Sequence, residues 1–144
     1  MMKPVIFGIY GKSNTGKTTL IIDIIKELKI EGKKIATIKI TDKKITMDTK
    51  EKDTWKYSKA GSNLVVFSSR IETDFLHFKN LKINEIFNYI KKFDDYDLII
   101  IEGAKDKEIQ KIRIGDIKKR ENTIFTYDGN FKKLIEIIKN EINR

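Results

Sequence analysis

The sequence predicts a three-layer α/β fold over residues 1–144, with a mostly parallel central sheet and helices on both of its faces. Three observations carry that prediction. The apolar run Val5-Ile6-Phe7-Gly8-Ile9-Tyr10 leads directly into Gly11-Lys12-Ser13-Asn14-Thr15-Gly16-Lys17-Thr18, and a helix-spaced run follows. Short apolar runs then alternate with helix-spaced ones, the pattern of strands joined by crossover helices. Leu98-Ile99-Ile100-Ile101 is apolar throughout, as a parallel strand covered on both faces should be.

The first observation also narrows the class. G-x-x-x-x-G-K-[ST] between a strand and a helix is the P-loop signature, so the expected architecture is that of P-loop NTPases. Such a loop wraps a polyphosphate with backbone N–H groups, which requires glycine where a Cβ would block the approach or forbid the dihedral. The amides opening the next helix face the same anion. A nucleoside triphosphate or diphosphate is therefore expected on Gly11, Lys12, Ser13, Asn14, Thr15, Gly16, Lys17, Thr18 and Thr19. Lys17 is the candidate catalytic cation for the β- and γ-phosphates, and the Thr18 hydroxyl the candidate Mg²⁺ ligand. Lys12 stands where a dimeric subgroup of P-loop ATPases carries a second lysine that reaches the partner's site. In so lysine-rich a chain the solvated reading is the stronger one.

Taken in order, residues 4–10 read as a first strand, and Leu20, Ile21, Ile24, Ile25 and Leu28 as the inner face of a helix that Gly32 ends. Residues 34–40 form a second strand. The polar stretch 41–52 has no strong period and follows the carboxyl end of a strand, where ligands of open α/β sheets bind. Residues 53–60 read as a short helix and 63–68 as a third strand. Residues 71–78 fit a strand or a turn-rich segment. Residues 84–93 read as a helix capped by Asn84, with Ile86, Phe87, Ile90 and Phe93 inward. Residues 97–103 form the buried strand, 109–114 and 122–127 two more, and 131–142 a terminal amphipathic helix.

Glu102 ends the buried strand. An acid in that place in P-loop proteins holds Mg²⁺ directly or through water, or orients the attacking water, so Glu102 is the second candidate catalytic and metal residue. Asp48 and Asp53 divide evenly between loop solvation or helix capping and a nucleotide or Mg²⁺ contact, with capping the stronger single alternative for Asp53. Trp55 suits a core or interface position better than stacking on a base. His77 is the sole histidine and reads as a surface or half-buried residue.

Composition sets the outer bounds. The length suits one domain, and no apolar run reaches 18 residues. Met1-Met2-Lys3-Pro4 runs into a strand with no signal-peptide pattern, and the chain has no cysteine. A cytoplasmic protein with no membrane partner is expected. The net charge of +9 comes almost wholly from dispersed lysine, with arginine only at 70, 113, 120 and 144. Dispersed charge favours solvated surface or anionic ligands over nucleic acid.

Beyond the P-loop, Ala36-Thr37-Ile38-Lys39, Lys52-Asp53-Thr54-Trp55 with Ala60-Gly61, and Ile101-Glu102-Gly103-Ala104-Lys105 occur in this order. Together they resemble the MobB-type family of molybdopterin-guanine dinucleotide biosynthesis adapters, over most of residues 1–115. The resemblance implies a GTP-binding accessory protein of molybdenum or tungsten cofactor biosynthesis. It would be a homodimer with weak GTPase activity and Mg²⁺ as cofactor. Implied partners are GTP, molybdopterin and the MobA-type guanylyltransferase that joins GMP to molybdopterin. Lys17 and Thr18 would take phosphates and Mg²⁺, Glu102 the acid role, and Asp48 and Asp53 would flank the nucleotide. The chain departs from the family pattern twice. Ile40-Thr41-Asp42-Lys43 stands where the family often has histidines, and Glu51 stands where it usually has glycine before Lys-Asp-Ser-Trp.

Guanine preference rests on the resemblance, since no Asn-Lys-x-Asp or Thr-Lys-x-Asp follows a late strand. The rival readings are a small-molecule kinase or ATPase of the P-loop class, and a nucleic-acid-associated NTPase. A kinase needs a lid whose arginines neutralise the transferred phosphoryl group. The four arginines here are scattered.

Overall fold

The computed structural model describes residues 3–144; Met1 and Met2, at the head of the segment tested for a signal peptide, lie outside the described residues. The elements are β1 (Val5–Tyr10), α1 (Lys17–Ile30), β2 (Ile35–Lys39), α2 (Asp53–Lys59), β3 (Leu64–Ser68), β4 (Thr73–His77), α3 (Ile83–Phe93), β5 (Leu98–Glu102), β6 (Lys111–Ile114), β7 (Thr123–Tyr127) and α4 (Phe131–Ile142). They form two compact units, one of residues up to Thr41 with Tyr89–Arg144, the other Asp42–Asn88.

The first unit holds the central sheet, in the order β2-β5-β1-β6-β7, with every neighbouring pair parallel. This is the α/β P-loop architecture that the strand–helix alternation predicted. Period-2 alternation sorts the strand residues by face. Phe7, Ile9, Leu98, Ile100, Ile112 and Ile114 pack with Leu20, Ile24 and Leu28 of α1 and Leu134, Ile135 and Ile138 of α4. The alternate residues Ile99, Ile101 and Tyr10 are equally buried. Ala104 and Ile109 lie over Gly8, where a Cβ would meet the Ala104 Cβ at 3.0 Å. Asn130 caps α4 by accepting from the Lys133 amide at 3.1 Å.

The second unit corrects the sequence-based expectations. The strand expected at 63–68 lies outside the central sheet and pairs antiparallel with β4. The ambiguous stretch 71–78 therefore contains a strand, Thr73–His77, in which half-buried Leu76 faces the buried Val65 across the hairpin. Ser69 closes the turn, its hydroxyl accepting from the Ile71 and Glu72 amides at 3.2 and 3.3 Å. Asn84 does not cap α3. The helix begins one residue earlier, Lys82 accepts from the Ile86 amide, and Glu85 reaches back to the Lys82 amide at 3.1 Å. A glutamate that closes the first turn outcompetes the shorter amide side chain. Phe87 is buried as expected, but Phe93 is 61% exposed rather than inward. No helix among the described residues is long and apolar enough to cross a membrane.

Candidate functional site

The P-loop spans the turn from β1 to α1, and its two glycines serve different needs. At Gly11 a Cβ would sit 2.8 Å from the Ile114 carbonyl oxygen, so the position is closed by the neighbouring strand's backbone. Gly16 has open space but a φ of 87°, a left-handed conformation that only glycine adopts cheaply. Asn14 also lies there, at φ 63°, as asparagine tolerates. No side chain caps α1 and its first turn carries no acid, which leaves the positive end of the helix facing the loop. Lys12, Ser13, Asn14, Thr18 and Thr19 are exposed along it. Thr15 turns inward, its hydroxyl donating to the Lys12 carbonyl at 2.6 Å. The Lys17 ammonium lies across the loop, donating to the carbonyls of Gly11 at 2.8 Å and Lys12 at 2.9 Å. It thus spans the loop it is expected to fill with phosphate.

Glu102 faces this loop. Its Cα pairs with Ile9 on one side and Lys39 on the other, at the carboxyl end of three adjacent strands. Its Oε1 lies 3.4 Å from the Thr18 hydroxyl, and its Oε2 lies 3.4 Å from the Lys39 ammonium. Gly103 allows this placement. Its φ is 92°, its amide donates to the Ile9 carbonyl, and a Cβ would meet the Ile40 carbonyl oxygen at 2.8 Å. The chain must turn sharply between two strand ends as soon as the carboxylate is set.

A hydroxyl and a carboxylate converging beside a P-loop suit Mg²⁺, a hard cation that keeps several waters and takes one or two protein oxygens plus phosphate oxygens. No cluster of histidine, cysteine or acid able to hold another metal occurs among the described residues.

Asp48 and Asp53 belong to the second unit. Asp48 organises its own loop: Oδ1 accepts from the Thr49 amide at 2.9 Å and the Thr54 hydroxyl at 3.0 Å, and Oδ2 is buried without a partner. Asp53 is the first residue of α2 and not its cap, which is Lys52 with no side-chain capping bond. There Asp53 stays exposed, its charge near the helix N-terminus. Glu51, where the resembled family has glycine, has a φ of 75°. Trp55 is half-buried under the Lys59 ammonium, 5.6 Å from the ring centre.

Three residues carry roles that sequence reasoning missed. Lys39 had one signal, a charge at the same strand end as Glu102. Lys111 is fully buried, and its ammonium donates to the carbonyls of Asp106 at 2.5 Å, Ile109 at 2.7 Å and Glu121 at 2.8 Å. Burial holds its pKa below the ordinary lysine value, against the pull of Asp106. Arg120 stacks on Tyr10, 4.6 Å from the ring centre, and donates to the Ala104 carbonyl at 3.0 Å. Together Lys111 and Arg120 tie down the loop that follows Glu102.

A family model described as molybdopterin guanine dinucleotide synthesis protein B matches residues 6–140. The chain belongs to the MobB family. A putative molybdopterin-guanine dinucleotide biosynthesis adapter protein of Methanocaldococcus jannaschii is 35% identical over 103 residues, 70% of this chain and 41% of that protein. The adapter protein of Haemophilus influenzae is 31% identical over 109 residues, 74% of this chain and 61% of that protein. The match thus spans less than two thirds of either curated relative. The solved structure of Bacillus subtilis MobB superposes with a TM-score of 0.73 at 18% identity, over 94% of this chain and 96% of that one. At that identity the likeness speaks to the fold, and the MobB fold is the one described above.

Proposed function

We propose that this MobB-family chain binds GTP with Mg²⁺ and acts as an accessory protein in attaching GMP to molybdopterin, in a molybdenum or tungsten pathway of the cytoplasm. One observation carries the reading: in a MobB-family chain, Thr18 meets Glu102 at the carboxyl end of the sheet while the neighbouring Lys17 lies across the loop. On nucleotide binding Lys17 exchanges the Gly11 and Lys12 carbonyls for β- and γ-phosphate oxygens, and the loop amides take the remaining charge. Thr18 and Glu102 would hold Mg²⁺, which supplies Lewis-acid stabilisation of phosphate charge. Glu102 alternatively positions water. The partners that fit are a MobA-type guanylyltransferase and molybdopterin.

Hydrolysis is slow in this reading, because no arginine is held at the phosphates to meet the transition-state charge. Three of the four arginines are engaged away from the loop, and Arg70 lies in the β3–β4 turn of the second unit. Arg113 donates to Thr126 and the Ile117 carbonyl, Arg120 stacks on Tyr10, and Arg144 pairs with Glu141. Rapid multiple turnover by the isolated protein would overturn this.

A homodimer is part of the same proposal. Leu64, Val66 and Phe75 form an outer hairpin row, each about half exposed. A two-stranded hairpin is marginal alone in water, and an identical row on a second copy meets it about a two-fold axis. The deciding experiment is calorimetric binding of GTP and ATP with Mg²⁺, for wild type and Lys17→Ala. Preference for GTP, lost in the variant, supports the reading. Equal or tighter ATP binding points to the P-loop kinase or ATPase class.

A further inference from the structure

Lys39 ends β2 beside Glu102, and the two are partners in the parallel ladder. Their side chains meet at 3.4 Å, with Glu102 only 14% exposed and Lys39 73% exposed. A shielded carboxylate needs a counter-charge, because the charged form is costly away from water. Lys39 supplies it from a long stem that is itself mostly hydrated, so its departure costs little. Lys17 does not fill this role, since its ammonium is held by the carbonyls of Gly11 and Lys12.

We propose that Lys39 is the resident counter-ion of Glu102, holding the carboxylate until Mg²⁺ enters with the nucleotide and displaces it. This rests on the nucleotide site proposed above and adds a regulating residue to it. The direction follows from charge. One carboxylate is balanced by Lys39 before binding, and the entering metal brings phosphate oxygens to balance the rest of its own charge. The displaced ammonium stays within reach of those phosphates on its flexible stem. Mg²⁺ therefore competes with a tethered cation, and Lys39 sets the Mg²⁺ concentration at which GTP is held tightly.

The test is GTP binding by calorimetry across a Mg²⁺ titration, with an EDTA control, for wild type, Lys39→Met and Lys39→Arg. In Lys39→Met the Mg²⁺ concentration giving half-maximal tightening is expected to fall about two- to fivefold, the size of an ion pair with one exposed partner. GTP affinity in EDTA is expected to fall, because Glu102 then faces the phosphates uncompensated. Lys39→Arg is expected to keep the wild-type midpoint. An unchanged midpoint with uniformly weaker GTP binding would overturn the inference, since Lys39 would then act by general attraction. Unchanged binding throughout would overturn it too. Wild-type protein that binds no GTP at all would instead overturn the nucleotide reading on which it depends.

Discussion

Glu51 occupies a backbone position built for glycine. Its φ of 75° costs an L-residue energy that glycine does not pay, and the Lys52 amide closes the turn around it by donating to the Thr49 carbonyl at 3.3 Å. Glu51→Gly is expected to raise stability by about 0.5–1 kcal/mol, read from denaturant midpoints, because the relieved strain exceeds the added chain entropy. Gly103 gives the opposite case. Gly103→Ala combines a left-handed φ with a Cβ 2.8 Å from the Ile40 carbonyl, so a loss of about 2–4 kcal/mol and weaker GTP binding are expected together. Gly16→Ala meets open space and should lose only about 1–2 kcal/mol. Lys111→Met strands the carbonyls of Asp106, Ile109 and Glu121, with an expected loss of about 2–4 kcal/mol in the same assay. The P-loop glycine and the departure at Glu51 were legible in advance; Lys111 was not. A lysine in a four-residue strand reads as a solvent-facing charge until the carbonyls around it are placed.

At the scale of elements, the central strands were the most legible, since Leu98–Ile101 and Val5–Tyr10 carry their burial in composition alone. The hairpin was the least legible. Leu64 to Ser68 has the same apolar character as a central strand, and composition does not say whether it finds a parallel neighbour or pairs with the next strand. Its outer row makes a direct prediction. Val66→Asp puts a charge among Leu64 and Phe75 in the half-exposed row. It is expected to shift the protein from dimer to monomer in sedimentation analysis while GTP binding persists. A monomeric wild type would rule out the proposed dimer.

At the scale of the whole molecule, the topology gathers the site. β1 lies between β5 and β6, so the P-loop leaving β1 opens beside the end of β5. Residues 11–18 and 102 meet there despite their separation in sequence. Ligand linkage then makes a molecular prediction. Mg²⁺ with GTP at about 100 times its Kd is expected to add about 2.7 kcal/mol of stability to wild type, seen as a higher Tm, and nearly nothing to Lys17→Ala. Chelating Mg²⁺ should remove much of that gain, since Thr18 and Glu102 then lose the cation that links them to the phosphates.

By itself the sequence determined the α/β class, the phosphate loop and the acid at the end of the buried strand. The loop and the acid are written in the spacing of glycines, charges and apolar runs over fewer than about ten residues, and the class in the order in which such short signals alternate along the chain. The tertiary structure alone decided that Lys39 pairs with Glu102, that Lys111 and Arg120 hold the following loop, and that β3 leaves the central sheet. Those depend on which strands become neighbours and which carbonyls converge. Such contacts join residues distant along the chain, and no local spacing records them.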